Sequence, residues 1–407
     1  MIVSKTLIEK NRELFQDARF VIVQHLLKDT LSVCNSLIGN GIEISAILSK
    51  PYSHRDENEA ELKKQGVNVY KLKQDEEVDY KNCKGILDEA ESKSKLDNKK
   101  ILIMDLGGYY SKVINDNKFE HLAGVVEDTA YGHRKYKKNP SSNHVVFSVA
   151  ESEMKEIEAK YVGASIVDTT ELLLQNIGDT LYNKNILLVG YGMIGKNVAK
   201  RLSVNTNDFV VYDNNNAKTL QAVSDGYGVA PLETALPDAD AVIGVTGNTS
   251  ISLDPQRYKI KKNAMLISGS SNRIEFDVDS LGATNVKDFG HIKKFSNNER
   301  SILLFNNGEP VNFLTNSVPD EIIDLMFAEM IQASKIMITE NNLEKGSILK
   351  VTRPYLDEIN SLYNKELISN PAYSNLITRL TDKNMPKDFK LKESGAEVNS
   401  SQTEKTK

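Results

Sequence analysis

The sequence predicts an α/β protein with two doubly wound, parallel-sheet domains joined by hinge helices. Three observations lead there. Short apolar runs alternate with helical patterns up to about residue 150, a second alternation starts at Ile186, and a helical segment, residues 162–177 (VGASIVDTTELLLQNI), lies between them. Strands that alternate with helices need crossover connections, and these cover both faces of a mostly parallel sheet. At 407 residues the chain exceeds what one core ordinarily organises, so two domains are expected.

In the first part the strand candidates are residues 20–23, 42–48, 67–70, 101–104, 123–126 and 145–147. Between the first two, Leu26, Leu27, Leu31, Cys34, Leu37 and Ile38 recur at helical spacing, and Asn40-Gly41 stops the pattern. Residues 58–65 read as another helix, with Asn58 as cap and Gly66 closing it.

The second part opens on an apolar strand, Ile186–Val189, that runs into Gly190-x-Gly192-x-x-Gly195 and then a helical stretch. The first glycine allows a tight turn, the second lets backbone approach a pyrophosphate, and the third lets helix pack on strand. The helix N-terminus then faces the anionic phosphates. A second strand, Phe209–Tyr212, ends at Asp213, about 20 residues past the glycines, where a Rossmann unit places an acid on the adenosine ribose. An acid there repels a 2′-phosphate, so NAD is expected rather than NADP. Residues 241–245 and 264–268 continue the strands, 269–300 are turn-rich, and 302–305, Asn306-Asn307-Gly308 and 311–313 read as a hairpin.

Residues 318–338 form the longest helical pattern, with Ser317 as cap, Pro319 in the first turn and Asp320 and Glu321 complementing the dipole. Ile322, Ile323, Met326, Met330, Ile331 and Ile336 nearly encircle it, so it is expected to be buried between domains or subunits. Residues 350–380 read as further helix, and the polar stretch from Lys387 as a disordered tail. The expected division is 1–160, a hinge helix 161–180, a Rossmann NAD-binding domain 181–317, a return hinge 318–340, a helical segment 341–386 and the tail 387–407.

Composition narrows the function classes. With 51 Lys and Arg against 56 Asp and Glu, the net charge of −5 is spread along the chain, so neither nucleic acid nor a membrane surface is an expected partner. No apolar run is long enough to span a bilayer, the first residues lack a signal-peptide core, and a cytoplasmic protein is expected. Cys34 and Cys83 stand alone, and the six histidines lack metal-ligand spacing, so no metal is expected.

The order of several segments resembles one family. Gln24-His25 with the helix after them, residues 103–108 (IMDLGG), 124–132 (GVVEDTAYG), 189–196 (VGYGMIGK), 220–222 (LQA), 226–229 (GYGV), Thr246-Gly247-Asn248, 274–277 (IEFD) and 308–313 (GEPVNF) follow one another as in S-adenosylhomocysteine hydrolase. On this order the chain is identified as a divergent member of the S-adenosylhomocysteine hydrolase (adenosylhomocysteinase) family, over about residues 20–365. The resemblance implies a substrate domain, a tightly held NAD, a homo-oligomer (dimer or tetramer) and a nucleoside-like substrate. In that family a ribose hydroxyl is transiently oxidised, homocysteine leaves, water adds and the hydride returns. By position the resemblance assigns NAD contacts to Gly190, Gly192, Met193, Ile194, Gly195, Asp213, Thr246, Gly247, Asn248, Thr129 and Asn312, the last near the nicotinamide. It assigns acid/base roles to His25, to Asp128 (one methylene shorter than the family's glutamate) and to Glu158.

Elsewhere the chain departs from the family. Leu106 stands where the family has an active-site carboxylate, and Tyr109 replaces the next acid of that loop. Lys155 lies about one residue out of register with a family lysine and reads as part of a solvated helix face. Residues 269–273 (GSSNR) and 316–319 (NSVP) lack two family histidines, and the tail lacks the family's final lysine and tyrosines. The expected function is an NAD-dependent enzyme acting on S-adenosylhomocysteine or a related nucleoside or secondary alcohol by transient hydride abstraction. The alternative is a catalytically impaired, NAD- or nucleoside-responsive binding or regulatory protein.

Overall fold

The computed structural model describes residues 1–365 except 206–207, 255–256, 272–273 and 316–317. Two short helices, α1 (Val3–Lys10) and α2 (Arg12–Gln16), precede the first sheet. There β1 (Ala18–Gln24), α3 (Lys28–Gly39), β2 (Glu43–Ser49), α4 (Asp56–Lys64), β3 (Val69–Lys71), α5 (Glu76–Asp97), β4 (Lys100–Asp105), α6 (Ser111–Asp116), β5 (Leu122–Glu127), α7 (Ala130–Lys138) and β6 (Val145–Ser148) alternate as expected. All pairs in this sheet are parallel, and its order places β1 beside β4 with β2 and β3 outward on one side, β5 and β6 on the other.

The long helix α8 (Glu153–Gln175) leads to the second alternation. It comprises β7 (Ile186–Val189), α9 (Met193–Asn205), β8 (Phe209–Tyr212), α10 (Asn216–Ser224), β9 (Gly228–Val229), α11 (Leu232–Ala235), β10 (Ala241–Gly244), β11 (Ile251–Ser252), β12 (Ala264–Ser268), β13 (Phe276–Asp277), β14 (Asn285–Asp288), β15 (Ile292–Ser296) and β16 (Ser301–Phe305). Here β7 neighbours β10 as β1 neighbours β4, and β9, β8, β7, β10, β12 and β16 run parallel in that order. A return helix, α12 (Asp320–Thr339), a strand β17 (Ile348–Leu349) and α13 (Arg353–Tyr363) follow. In both sheets the order reverses at a central pair of strands. Ligands of open α/β sheets bind at such switch points, beyond the carboxyl ends of the strands.

Several expectations need correction. The helix expected from 161 starts earlier, at Glu153, because Ser152 caps α8 by accepting from Lys155 N at 3.1 Å. Asn58 does not cap α4; the helix is already under way at Asp56, and the Asn58 amide donates to Leu26 O at 3.0 Å. Residues 311–313 are not a strand but part of a 3₁₀ turn, Val311–Leu314. Asn306, Asn307 and Gly308 are all left-handed (φ 45°, 54° and 79°) and turn the chain off the sheet, so β16 pairs antiparallel with β15 instead. The 341–386 segment is not only helical: β17 pairs with β6 and extends the first sheet. The proposed cap Ser317, the end of the 350–380 helix and the tail lie outside the described residues.

The cores follow from the layers. Residues of α12, among them Leu325, Met326, Ala328, Ile331 and Ile336, are buried with strands β1, β4 and β5 and with α1 and α3. Asp324 of α12 accepts from the Val3 and Ser4 amides at 2.7 and 3.0 Å and so ties the chain start to this helix. A second core lies between α8, α9 and strands β7, β8, β10 and β12. At its edge Gly163 lets α8 press onto α9: a Cβ there would lie 2.5 Å from the Asn197 Cβ and 2.9 Å from Val198 N. Gly163→Ala is therefore expected to lower stability by about 1–3 kcal/mol through overpacking, although alanine is the better helix former. Denaturant titration measures it, and an unchanged or raised midpoint would refute the close packing.

Candidate active site

The carboxyl ends of the two sheets face each other across a cavity of about 1500 Å³. The first sheet presents Gln24-His25 after β1, Leu106 after β4 and Asp128-Thr129 after β5, while α8 adds Lys155 and Glu158. The second presents the glycine loop after β7, Asp213 after β8 and Thr246-Gly247-Asn248 after β10. Asn312 and Phe313 of the 3₁₀ turn and Met326, Phe327 and Met330 of α12 complete the wall. Arg134 of α7 reaches across and donates to Gly247 O at 3.1 Å.

On the second sheet the glycines do what their spacing requires. Gly190 has φ +104°, and a Cβ on Gly195 would come 2.0 Å from Gly190 O, so α9 starts flush against the turn. Gly192, Met193 and Ile194 line the cavity, whereas Gly195 is packed behind them. The Asp213 carboxylate accepts from Tyr191 N at 2.7 Å and from Asn215 N at 2.9 Å, with Lys218 Nζ at 3.9 Å.

The Thr246-Gly247 loop hangs from a buried glutamate. Glu275 accepts from Thr246 N at 2.6 Å and Gly247 N at 2.7 Å, from Ser250 Oγ at 2.9 Å, and from the Thr246 and Ser270 hydroxyls. Burial pushes its carboxyl up, and these hydrogen bonds partly offset that. The segment holding Glu275 was singled out in the sequence, but its role was not, because a carboxylate that collects distant amides has no local spacing. Asn312 is almost fully buried, and its Oδ1 has no hydrogen-bond partner among the described residues. A buried acceptor left empty is costly, and an amide donor such as a carboxamide would satisfy it. These residues fit a dinucleotide: glycine turn, helix N-terminus, acid after the second strand, unmatched acceptor opposite.

The first sheet and α8 carry the ionisable groups of the cleft, and here one expectation is reversed. Lys155 is not on a solvated face: its side chain is 16 % exposed, and Nζ donates to Asp128 Oδ1 at 3.0 Å and lies 2.6 Å from Glu158 Oε2. The early start of α8 turns it inward. Burial disfavours its charge, but Asp128 and Glu158 outweigh that and hold the ammonium well above the usual lysine range. Burial raises the Glu158 carboxyl against the pull of Lys155, and Asp128 adds to the rise. His25 Nδ1 lies 2.5 Å from Ser53 Oγ, and its ring packs on Phe313 (centroids 4.4 Å apart) and Tyr52 (5.6 Å). Burial, with Lys50 and Lys155 nearby, holds His25 well below its ordinary value, so the ring is neutral at pH 7.

Leu106 is buried in the cavity wall, so that position is apolar in space as in sequence. Tyr109 does not replace the lost acid in the cleft; its hydroxyl accepts from buried Lys50 Nζ at 3.2 Å. Thr129 lines the cavity, but its hydroxyl donates to Glu127 at 2.6 Å and accepts from Gly132 N at 3.0 Å. Glu127, which the sequence left without a role, also accepts from Gly107 N and Gly108 N at 2.9 Å each and Thr129 N at 2.7 Å. Burial, then nearby Asp105, pushes its carboxyl up to about 8. Outside the cavity His54, Asp56 and Glu59 come together at the start of α4, where His54 Nε2 already lies 2.7 Å from Glu59 Oε2.

Comparison with known proteins agrees with this geometry. Residues 163–318 match the family model described as the NAD binding domain of S-adenosyl-L-homocysteine hydrolase. The adenosylhomocysteinase of Thermotoga maritima is 26% identical over 346 residues, 82% of this chain and 83% of that protein. The adenosylhomocysteinase of Gloeothece citriformis is 24% identical over 349 residues, covering 82% and 78%. The S-inosyl-L-homocysteine hydrolase of Methanopyrus kandleri is 23% identical over 345 residues, covering 81% and 78%. The chain is thus similar over about four fifths of its length to adenosylhomocysteinases, and its residues 163–318 match the NAD binding domain of that family, which supports NAD as the cofactor.

Proposed function

We propose that the chain is an NAD-dependent enzyme that acts on S-adenosylhomocysteine or a related nucleoside by reversible removal of hydride from a ribose hydroxyl carbon. One observation carries this reading: Lys155 sits in the cleft wall, shared between Asp128 and Glu158. The names of the relatives supply the substrate class, since they act on homocysteine thioethers of different nucleosides. In this reading the first sheet, with α12 and β17, holds the substrate, and the second holds NAD through Gly190, Gly192, Met193, Ile194, Gly195, Asp213, Thr246, Gly247 and Asn248. Asn312 Oδ1 takes the nicotinamide carboxamide, and Thr129 lines the same site. The cavity exceeds the roughly 300–1,000 Å³ of a single drug-sized pocket, which supports a dinucleotide and a second ligand together.

Bound NAD supplies the hydride acceptor. The chain must then take the hydroxyl proton and steady the oxygen as its charge grows. Lys155 does the second with its ammonium. A proton arriving at Nζ is matched by one leaving to Glu158, whose carboxyl burial makes more basic. Asp128 keeps the ammonium in place. His25 is neutral, and with Nδ1 on Ser53 its Nε2 is the ring atom left for a ligand. The apolar wall of Leu106, Phe313, Phe327 and Met330 keeps water from the reacting centre.

Leu106 favours a second reading, a catalytically impaired protein that binds NAD or nucleosides and responds to them. Assays of homocysteine release and of near-ultraviolet NADH absorbance, with S-adenosylhomocysteine, S-inosylhomocysteine and free nucleosides, separate the two. Folded, NAD-loaded protein inert to all of them overturns the first reading and supports the second.

Lys155→Met is expected to slow reduction of bound NAD by ~10²–10⁴-fold with NAD affinity unchanged. A normal rate in this variant would remove Lys155 from the chemistry. Asp213→Ala is expected to raise the NAD dissociation constant about 10- to 100-fold, the loss of a charge-assisted hydrogen bond, and to narrow the preference over NADP. Calorimetry with both dinucleotides measures it, and unchanged affinities would deny Asp213 a place at the ribose.

A further inference from the structure

Behind the cleft wall at Leu106 lies a buried cation that the proposed chemistry leaves unused. Lys50 follows β2 and is 0 % exposed. Its Nζ lies 4.4 Å from the centroid of the Tyr109 ring and donates to the Tyr109 hydroxyl at 3.2 Å. Lys135 of α7 shares that ring at 5.4 Å and meets the Tyr131 ring at 4.7 Å. The chain between Leu106 and Tyr109 runs directly against both lysines. A Cβ on Gly107 (φ +106°) would lie 2.8 Å from Lys50 Nζ, and one on Gly108 (φ +66°) 3.0 Å from Lys135 Cβ. Two glycines at positive φ therefore let the backbone close over these side chains.

Lys50 is tied to His25 through its own backbone. Its N–H donates to Gln24 O at 3.4 Å, one residue before His25. Its carbonyl accepts from Ser53 N at 3.2 Å and closes the 3₁₀ turn Pro51–Ser53. From that turn Ser53 Oγ meets His25 Nδ1 at 2.5 Å, and the Tyr52 ring packs on the imidazole. The turn has only three residues, so a shift of Lys50 carries Ser53 with it.

We propose that Lys50 and Tyr109 are positioning residues for His25: the ammonium held on the Tyr109 ring anchors the turn whose Ser53 fixes the imidazole, and so aims its Nε2 at the ligand. The proposal rests on the oxidative reading above and adds to it what orients His25.

The electrostatics favour such an anchor. Burial pushes the Lys50 amine down to about 8, with Asp105 and then Glu127 opposing, so the group is still an ammonium at pH 7. A buried ammonium is costly wherever it lacks partners, which confines it to the ring and hydroxyl it already has. Cation–π attraction also strengthens as water is excluded, whereas an exposed lysine leaves a ring at little cost. The Lys50 side chain thus has one place to sit, and the turn beyond it has one as well.

Tyr109→Leu removes the ring and the hydroxyl, Lys50→Met removes the ammonium, and Tyr109→Phe keeps the ring. In NAD-loaded protein, Tyr109→Leu and Lys50→Met are expected to slow reduction of bound NAD by S-adenosylhomocysteine about 10- to 100-fold, with NAD affinity unchanged. Tyr109→Leu, with Lys50 in place, carries the test should Lys50→Met not fold. Tyr109→Phe should keep most of the wild-type rate. In a His25→Ala background, Tyr109→Leu should add no further loss, because its effect passes through that ring. Selectively labelled histidine reads the anchor without catalysis. The His25 ring resonances, assigned by their absence in His25→Ala, should shift in Tyr109→Leu and stay in place in Tyr109→Phe. Unmoved His25 resonances in Tyr109→Leu, a full additional loss in the His25→Ala background, or a Phe variant as impaired as the Leu variant overturns the proposal. A flat rate with every substrate, together with the Tyr109-dependent shift, overturns the oxidative reading and leaves the positioning role standing.

Discussion

Two buried glutamates hold this cleft open for ligands, and most of the site depends on them. Loops that turn sharply at the carboxyl end of a parallel sheet expose backbone amides with no strand to pair with. In the first sheet Glu127 collects the amides of Gly107, Gly108 and Thr129. In the second Glu275 collects those of Thr246 and Gly247. Burying a carboxylate is expensive unless it is well hydrogen-bonded, and each of these accepts several bonds. The result is that the loops are fixed from behind, and their front faces need no internal partners. Gly132 shows how closely this is fitted: a Cβ there would fall 2.1 Å from Glu127 Cδ.

The same constraint governs the charged groups of the cleft wall. Lys155, Asp128 and Glu158 come from two elements, and neither a lone buried ammonium nor a close pair of carboxylates would be tolerable without the others. Their mutual pairing offsets the burial of each group in the cleft wall. Arg134, by contrast, spans from α7 to the Gly247 carbonyl and ties the two halves together at the cavity rim.

Much of the fold was legible because hydrophobic runs and glycines act locally. The strand-turn-helix at Gly190 to Gly195 needs only its own residues, and the alternation before it predicted the first sheet strand by strand. What escaped needed distant partners. Lys155 is spaced like one member of any solvated i,i+3 pair, and only the position of β5 shows that it faces inward, whereas Glu158 was assigned a role by resemblance. Residues 302–305 have a turn on each side; the later one reads as the hairpin, but left-handed Asn306 and Asn307 carry the chain off the sheet, and β15 is the partner. Asn312 was expected near a nicotinamide by resemblance alone, and no local pattern announces that its Oδ1 is buried without a hydrogen-bond partner among the described residues. β17 has two residues and no periodicity to announce it.

That small strand has a consequence for how the molecule is made. The first sheet starts at residue 18 yet is finished by residues 348–349, and α12 lies in its core, so the early part of the chain is incomplete until most of the sequence has been synthesised. The second sheet is contiguous, from Ile186 to Phe305. During translation the middle of the protein therefore has all its own partners first, while the N-terminal strands wait with exposed apolar surface for the C-terminal segment to come back. Such an interval is when unpaired strand edges can associate with the wrong neighbour.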